Sequence, residues 1–199
     1  MPRLLIATSN PSKFAEARDV LAGDSFTVVG LADFPDIKPV PETGETFEKN
    51  AVLKAKGYFS QTNVPCIADD GGLIVDALGG LPGVHSHRWL GHEATDQELA
   101  EAVIERLHSA PREQRTARLG GFIAFWNGAE LLLSENWIEG HIAESIMGEI
   151  KPGFPYRAIF VVDAFNKPYS DLTHEEHEQV NFRRKNLKAL RPRIAQLLA

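Results

Sequence analysis

Short apolar runs alternate along this chain with segments of helical periodicity, and this order limits the folds that it can adopt. The apolar runs predict strands at 4–7, 26–29, 65–68, 72–75 and 159–162. Helical spacing and capping residues predict helices at 11–22, 46–59, 96–108 and 173–190, the last with a break near 181–184, and a tail helix at 192–198. A hairpin of 115–126 and 130–139 is predicted around Asn127-Gly128. We therefore expect an α/β fold with a mixed sheet flanked by helices.

Length, charge and cysteine content exclude several classes of protein. A chain of 199 residues predicts a single domain over residues 1–199 that buries a full core. The net charge of -6 disfavours a nucleic acid polymer as a partner, because such binders need a basic surface. The single cysteine, Cys66, excludes an internal disulfide and fits a reducing compartment. With no signal peptide and no apolar stretch of about 20 residues, we expect a cytoplasmic protein without a membrane partner.

The turn Thr8-Ser9-Asn10-Pro11-Ser12-Lys13 joins the first predicted strand to the first predicted helix. Backbone N–H groups at a helix start favour anions, and Lys13 adds a positive charge where the helix dipole alone favours an acid. A phosphate site is one interpretation of this turn. An ordinary capped helix, with Ser9 or Asn10 as the cap and a solvated lysine, is the other.

Acidic residues mark two further candidate positions. Glu42 lies in the entry to the second predicted helix, where acids also simply compensate the helix dipole, and that simpler interpretation is favoured by the residue alone. Asp69 and Asp70 end a short apolar run, where open α/β sheets bind ligands. Adjacent strand residues point to opposite faces, so one of the two can hold a hard cation such as Mg²⁺ while the other supports a turn. A tight Asp-Gly bend at Gly71 is the alternative interpretation.

Five segments in this order resemble the inosine/xanthosine triphosphate pyrophosphatase family across nearly the whole chain. They read TSNPSK, PETGETFEKNAVLKA, IADDGGLIVDALGGLPGVHSHRW, GFPYRAIF and LTHEEHEQVNFRRKNLK. The resemblance implies an elongated mixed sheet with two lobes around a central cleft, and a homodimer. It also implies a house-cleaning enzyme that hydrolyses a non-canonical purine nucleoside triphosphate, such as ITP, dITP or XTP, to the monophosphate and pyrophosphate with Mg²⁺.

Where this chain matches the motifs of the family, the resemblance implies that its residues have the same roles. The resemblance implies that Asp70, Lys13 and Lys54 are catalytic, with Asp70 as general base. It implies a metal site made by Glu42, Asp70 and the neighbouring Asp69. Ser86 and Arg88 are expected to line the rim of the cleft. The expected substrate-binding residues are Thr8, Ser9, Asn10, Lys13, Gly71, Phe154, Pro155, Tyr156, Arg157, His177, Phe182 and Arg183.

Departures from the family pattern are concentrated at the end that reads the base. Where the family has an aspartate, this chain has Arg157, and where it has a lysine, this chain has His177. The family's histidine that helps to read a 6-oxo purine is replaced by Phe182. A phenylalanine cannot donate a hydrogen bond to a base oxygen. Phe154 is still expected to stack on a base, and Arg183 to donate to a base oxygen. We therefore expect a competent phosphate end, and two alternatives to the family's activity stay open. The enzyme acts on another modified nucleotide, or the fold is a nucleotide-binding module with weak turnover.

Overall fold

The computed structural model describes residues 1–86 and 89–199, which form five α-helices and seven β-strands. The predicted rim residue Arg88 lies outside them. The strands are β1 (Arg3–Ile6), β2 (Thr27–Gly30), β3 (Cys66–Val75), β4 (Thr116–Trp126), β5 (Leu131–Ile142), β6 (Phe160–Val162) and β7 (Lys167–Pro168). The helices are α1 (Pro11–Val20), α2 (Phe47–Thr62), α3 (Asp96–Arg106), α4 (His174–Val180) and α5 (Phe182–Leu198). None of the helices described is long and apolar enough to cross a membrane.

One mixed sheet contains all the described strands, in the order β2-β1-β3-β4-β5-β6-β7. β1 pairs in parallel with β2 and β3, whereas β6 pairs in antiparallel with β5 and β7. β4 and β5 are neighbours joined by the Asn127-Gly128 turn, where Asn127 Oδ1 accepts from two following backbone N–H groups. The predicted α/β class and mixed sheet are confirmed.

The chain divides into two compact units, and the prediction of one domain over residues 1–199 stays a prediction. The first unit contains Met1–Asp70, Gly121–Asn136 and Phe182–Ala199. Its strands bury both faces. Leu4, Ile6 and Ile67 pack with α1 and α5, while Leu5, Ala7, Cys66 and Ala68 pack with α2. The two-residue period of β1 and β3 therefore separates the apolar residues of this unit into two layers.

The second unit contains Gly71–Gly120 and Trp137–Asn181. Its buried residues come from the distal half of β3, from α3, and from β5 and β6, with Leu73, Val103 and Phe160 fully enclosed. The α3 helix begins with a capping box in which Thr95 and Glu98 exchange hydrogen bonds. Tyr169 is also buried, next to the short strand β7.

Two boundaries differ from the sequence predictions. The predicted strands at 65–68 and 72–75 are one continuous strand, β3, so Asp70-Gly71 forms no tight bend. Asp69 and Asp70 remain within the strand because each carboxylate has a cationic partner. The predicted break before Pro192 is also wrong, since α5 runs through this proline. Leu190 and Ile194 on either side of it are buried, and this packing outweighs the lost N–H donor. The predicted break near 181–184 is confirmed, because α4 ends at Val180 and α5 begins at Phe182.

Gly140 on β5 tests how closely β5 and β6 pack in the second unit. A Cβ at this position would overlap the carbonyl oxygen of Val161 and press on the ring of Phe160. We expect Gly140→Ala to lower the free energy of unfolding by about 3 kcal/mol, the upper end for overpacking. Denaturant unfolding measures the loss.

Gly79→Ala is the matched control, because Gly79 has φ +62° but no atom within 4 Å of the position that a Cβ would take. This variant should lower the free energy of unfolding only through backbone strain, by about 1–2 kcal/mol. Equal losses for the two variants would show that β5 and β6 separate easily at Gly140.

Candidate active site

The turn before α1 is built on the side chains of Thr8 and Asn10. Thr8 Oγ1 accepts from the backbone N–H of Asn10 at 3.1 Å. Asn10 is the N-cap, and its Oδ1 accepts from the N–H groups of Ser12 and Lys13 at 2.9 and 3.3 Å. The predicted cap is thus confirmed, with Asn10 rather than Ser9 in this position. Because Asn10 already occupies these two N–H groups, a charged side chain is the stronger anion-binding group of this turn.

Lys13 is not a solvated lysine. Its side chain is 25% exposed, and its Nζ donates to Asp69 Oδ2 at 3.0 Å. The same oxygen accepts from Nε and Nη2 of Arg183 at 3.1 and 3.0 Å, and Arg183 Nη1 donates to Glu16 at 3.0 Å. We call Lys13, Glu16, Asp69 and Arg183 the Asp69 cluster. It joins β3, α1 and α5 on one face of the sheet in the first unit.

Charge pairing outweighs burial at the centre of the Asp69 cluster. Burial raises the pKa of the Asp69 carboxyl, but Lys13 and Arg183 hold it well below its usual range. Burial also opposes the charge of Arg183, yet Asp69 and Glu16 raise its pKa. For Lys13, burial has the largest effect and lowers its pKa, and the attraction of Asp69 only partly compensates. Lys13 is therefore the cation of this cluster that gains most from an additional anion.

Asp70 forms a separate cluster on the opposite face of the same unit. Lys54, on α2, donates from Nζ to Asp70 Oδ1 at 2.8 Å and lies 3.1 Å from Glu42 Oε1. We call these three residues the Asp70 cluster. Asn50 holds the loop that carries Glu42, because its Oδ1 accepts from the N–H of Gly44 at 2.7 Å. The segment PETGETFEKN thus places Glu42 beside the end of β3.

In the Asp70 cluster, burial outweighs charge pairing at Asp70, whereas charge pairing outweighs burial at Lys54. Burial raises the pKa of Asp70, and the adjacent Lys54 opposes this without overcoming it. Burial works against the charge of Lys54, but Asp70, Asp69 and Glu42 together raise its pKa. Lys54 therefore keeps its charge, and Asp70 is a stronger base than an exposed carboxylate.

The oxygens of Glu42 and Asp70 fit a hard cation. Both lie within about 3 Å of one nitrogen, Lys54 Nζ, at 3.1 and 2.8 Å. The Lys54 ammonium occupies the point on which these two oxygens converge, and one or two neighbouring carboxylates are the protein ligands that Mg²⁺ commonly uses. Asp69 Oδ2 instead points to Lys13 and Arg183. Among residues 1–86 and 89–199, no three His, Cys, Asp or Glu side chains form a complete metal site.

The residues expected at the base end belong mostly to the second unit and form a stack of their own. The guanidinium carbon of Arg157 lies 3.6 Å from the centre of the Phe154 ring and 5.2 Å from that of Tyr169. His177 meets Tyr169 edge-on, with ring centres 4.6 Å apart. Arg157 therefore covers one face of Phe154, the ring that was expected to stack on a base. Gly71 lies in β3, and Pro155 is buried within the same unit.

The remaining side chains that were expected to bind substrate are buried and already have partners within the protein. Tyr156 is buried, and its hydroxyl donates to the carbonyl of the predicted rim residue Ser86 at 2.8 Å. Phe182 is buried at the start of α5, with Arg183 4.9 Å from its ring centre. Arg183 donates from three nitrogens to carboxylates. Its predicted contact with a base oxygen stays a prediction.

Glu16 and Asn50 were missed from the sequence. Glu16 lies three residues after Lys13, and this spacing puts both on one face of α1. It therefore carried a usable signal. Asn50 carried none, because its partner Gly44 lies in an irregular loop.

Comparisons with known proteins match nearly the whole chain to one family. The sequence pattern of the Ham1 family matches residues 4–193. A protein named dITP/XTP pyrophosphatase from Symbiobacterium thermophilum is 40% identical over 198 residues, which cover 98% of this chain and 96% of that protein. One of the same name from Bacillus subtilis is 39% identical over 191 residues, 96% of each chain.

Solved structures show the same fold. The Ham1 protein of Staphylococcus aureus superposes with a TM-score of 0.85 at 30% identity, covering 98% of this chain and 99% of its own. A nucleoside-triphosphatase, also called dITP/XTP pyrophosphatase, from Mycobacterium abscessus gives a TM-score of 0.78 at 37% identity, with 96% and 99% covered.

Arg183 is expected to be a major determinant of stability. Arg183→Met leaves the carboxylates of Asp69 and Glu16 without this cation, and breaking such a buried pair costs about 3–5 kcal/mol. Arg193→Met removes an exposed pair with Glu130 from the same helix, which costs at most about 1 kcal/mol. Urea unfolding of the two variants compares the losses. A loss at Arg183 no larger than at Arg193 would contradict the role of the Asp69 cluster.

Proposed function

The chain belongs to the Ham1 family, and on that premise we propose that it hydrolyses a non-canonical purine nucleoside triphosphate to the monophosphate and pyrophosphate. Substrates of the dITP, ITP or XTP type are favoured by the names of its relatives. The observation that carries the proposal is the pair of lysines, Lys13 and Lys54, each held by a carboxylate of β3.

The two lysines would bind and neutralise the triphosphate. Each is largely buried and already carries its charge beside an aspartate, so neither has to be moved from water when a phosphate arrives. Thr8, Ser9 and Asn10 form the turn that fixes the position of Lys13. Negative charge that develops on the phosphate oxygens during the reaction would be stabilised by both ammonium groups.

Asp70 would act as the general base. Burial raises its pKa, and only its Oδ1 is engaged by Lys54. No other described residue hydrogen-bonds this carboxylate, so Oδ2 is available to take a proton from an attacking water. We propose that this water attacks the α-phosphorus, with Lys54 holding the carboxylate in position.

Mg²⁺ is the cofactor that we propose, with Glu42 and Asp70 as its carboxylate ligands. When bound, such a cation offsets phosphate charge and lowers the pKa of a coordinated water. Asp69, expected as a third ligand, would take this role only with its second oxygen, since Oδ2 is shared by Lys13 and Arg183.

We also propose a cytoplasmic homodimer, and the exposed Leu131 and Leu133 on one face of β5 support an interface.

A second proposal concerns which purine base the enzyme prefers. Arg157 carries donors only, so a base that faces it must offer acceptors. We propose that this favours xanthine, which has two ring carbonyls, over hypoxanthine, which has one. The stack of Arg157 on Phe154 supports this proposal, because it holds the guanidinium plane in a fixed orientation.

Asp70→Asn tests the chemistry. We expect kcat for pyrophosphate release from XTP to fall by two orders of magnitude or more, roughly the loss of a general base. The melting temperature should change little, because burial already disfavours the charge of Asp70 and raises its pKa, and an amide still accepts from Lys54. Asp36→Asn, an exposed change in the same unit, is the control. Wild-type kcat in Asp70→Asn would remove Asp70 from the mechanism, and XTP binding by the wild type without pyrophosphate release would identify a binding module.

Arg157→Asp tests base selection. We expect the ratio of kcat/KM for XTP to that for ITP to fall about tenfold, because a donor is replaced by an acceptor. Arg157→Gln, which keeps a donor, should give an intermediate ratio. Equal losses for XTP and ITP would show that Arg157 does not read the base.

A further inference from the structure

A cavity in the second unit is lined by no residue of the two charged clusters or of the Phe154 stack. It has a volume of about 260 Å³ and is lined by Arg112, Arg115 and His141 above the buried apolar residues Ile142 and Val161. This volume is slightly below that of drug-sized ligand pockets. The cavity is therefore suited to a small molecule rather than to a nucleoside triphosphate.

Arg115 supplies a fixed positive charge to this cavity. It is 4% exposed, and its guanidinium donates to the carbonyls of Leu107, Ala110 and Ala143 at 2.8, 3.0 and 3.0 Å. Leu107 is the C-cap residue of α3, so Arg115 also caps that helix. Among the described residues no carboxylate pairs with Arg115. Carbonyls orient this charge but do not neutralise it.

Arg112 adds a second cation at the mouth of the same cavity. It is exposed, and its Nη2 donates to the side-chain carbonyl of Asn166 at 3.3 Å, again without a carboxylate partner in the part of the chain that the structure describes. His141 is oriented by a hydrogen bond of 2.8 Å between Nδ1 and Asp163. Glu144 also lines the cavity and is the one opposing charge among these lining side chains.

We propose that this cavity binds a small oxyanion, a carboxylate or a phosphate, through the guanidinium groups of Arg112 and Arg115. Guanidinium forks match the geometry of both groups, and an anion would give each arginine the partner that the protein itself does not provide. The apolar floor accommodates a short aliphatic body. This binding is independent of the triphosphate hydrolysis proposed above and is measured without it.

The experiment measures binding of two probes to the full-length protein by calorimetry, with chloride at equal ionic strength as the reference. Succinate represents the carboxylate source and inorganic pyrophosphate the phosphate source. We expect saturable binding of at least one probe, weakened about tenfold or more in Arg112→Gln, because a charge-assisted contact is lost. Arg118→Gln, an exposed arginine of the same unit that pairs with Asp76, should bind as the wild type does.

Asn166→Asp provides a second variant that keeps Arg112. Asn166 has φ +50°, which aspartate also tolerates, so the fold should be retained. The new carboxylate would pair with Arg112 and compete with the probe, and binding should again weaken. The proposal is overturned if neither probe binds saturably, or if Arg112→Gln and Asn166→Asp bind as tightly as the wild type. Pyrophosphate is also the product of the proposed hydrolysis, so pyrophosphate binding that survives both variants belongs to the triphosphate site, and succinate then decides whether the proposal stands.

Discussion

Side-chain alternation along β3 sends two adjacent carboxylates to opposite faces of the sheet, and each must find a cation there. An unpaired buried carboxylate is costly, so the chain cannot bury Asp69 and Asp70 without Lys13, Arg183 and Lys54. These cations come from three different helices of the first unit. The packing of α1, α2 and α5 on the strands is therefore tied to the same charges that form the candidate site.

The separation gives the two acids different surroundings. Asp69 is held far below its usual pKa by two cations and is the anchor of its cluster. Asp70 shares one lysine with Glu42, and burial raises its pKa. Stability and chemistry are thus assigned to neighbouring residues of one strand, with little overlap between their partners.

Much of this arrangement followed from local patterns. The two-residue period of a strand predicted that Asp69 and Asp70 face apart, and the capping signals predicted that α1 begins at Pro11, while leaving Ser9 and Asn10 open as its cap. Long-range pairs were not predictable in this way. Arg183 reaches Asp69 from 114 positions along the chain, and only packing of α5 brings it there. The continuity of β3 was missed because two glycines normally indicate a turn, whereas here the ion pairs keep the acids in the strand.

Asp69→Asn and Asp70→Asn, compared side by side, test the division between the two acids most directly. Each variant is measured for its free energy of unfolding and for kcat of pyrophosphate release from XTP. Asp69→Asn should lower the free energy of unfolding strongly, while Asp70→Asn should lower kcat strongly with little change in stability. Equal effects of the two changes on both quantities would contradict the account, because the carboxylates would then act as one pair.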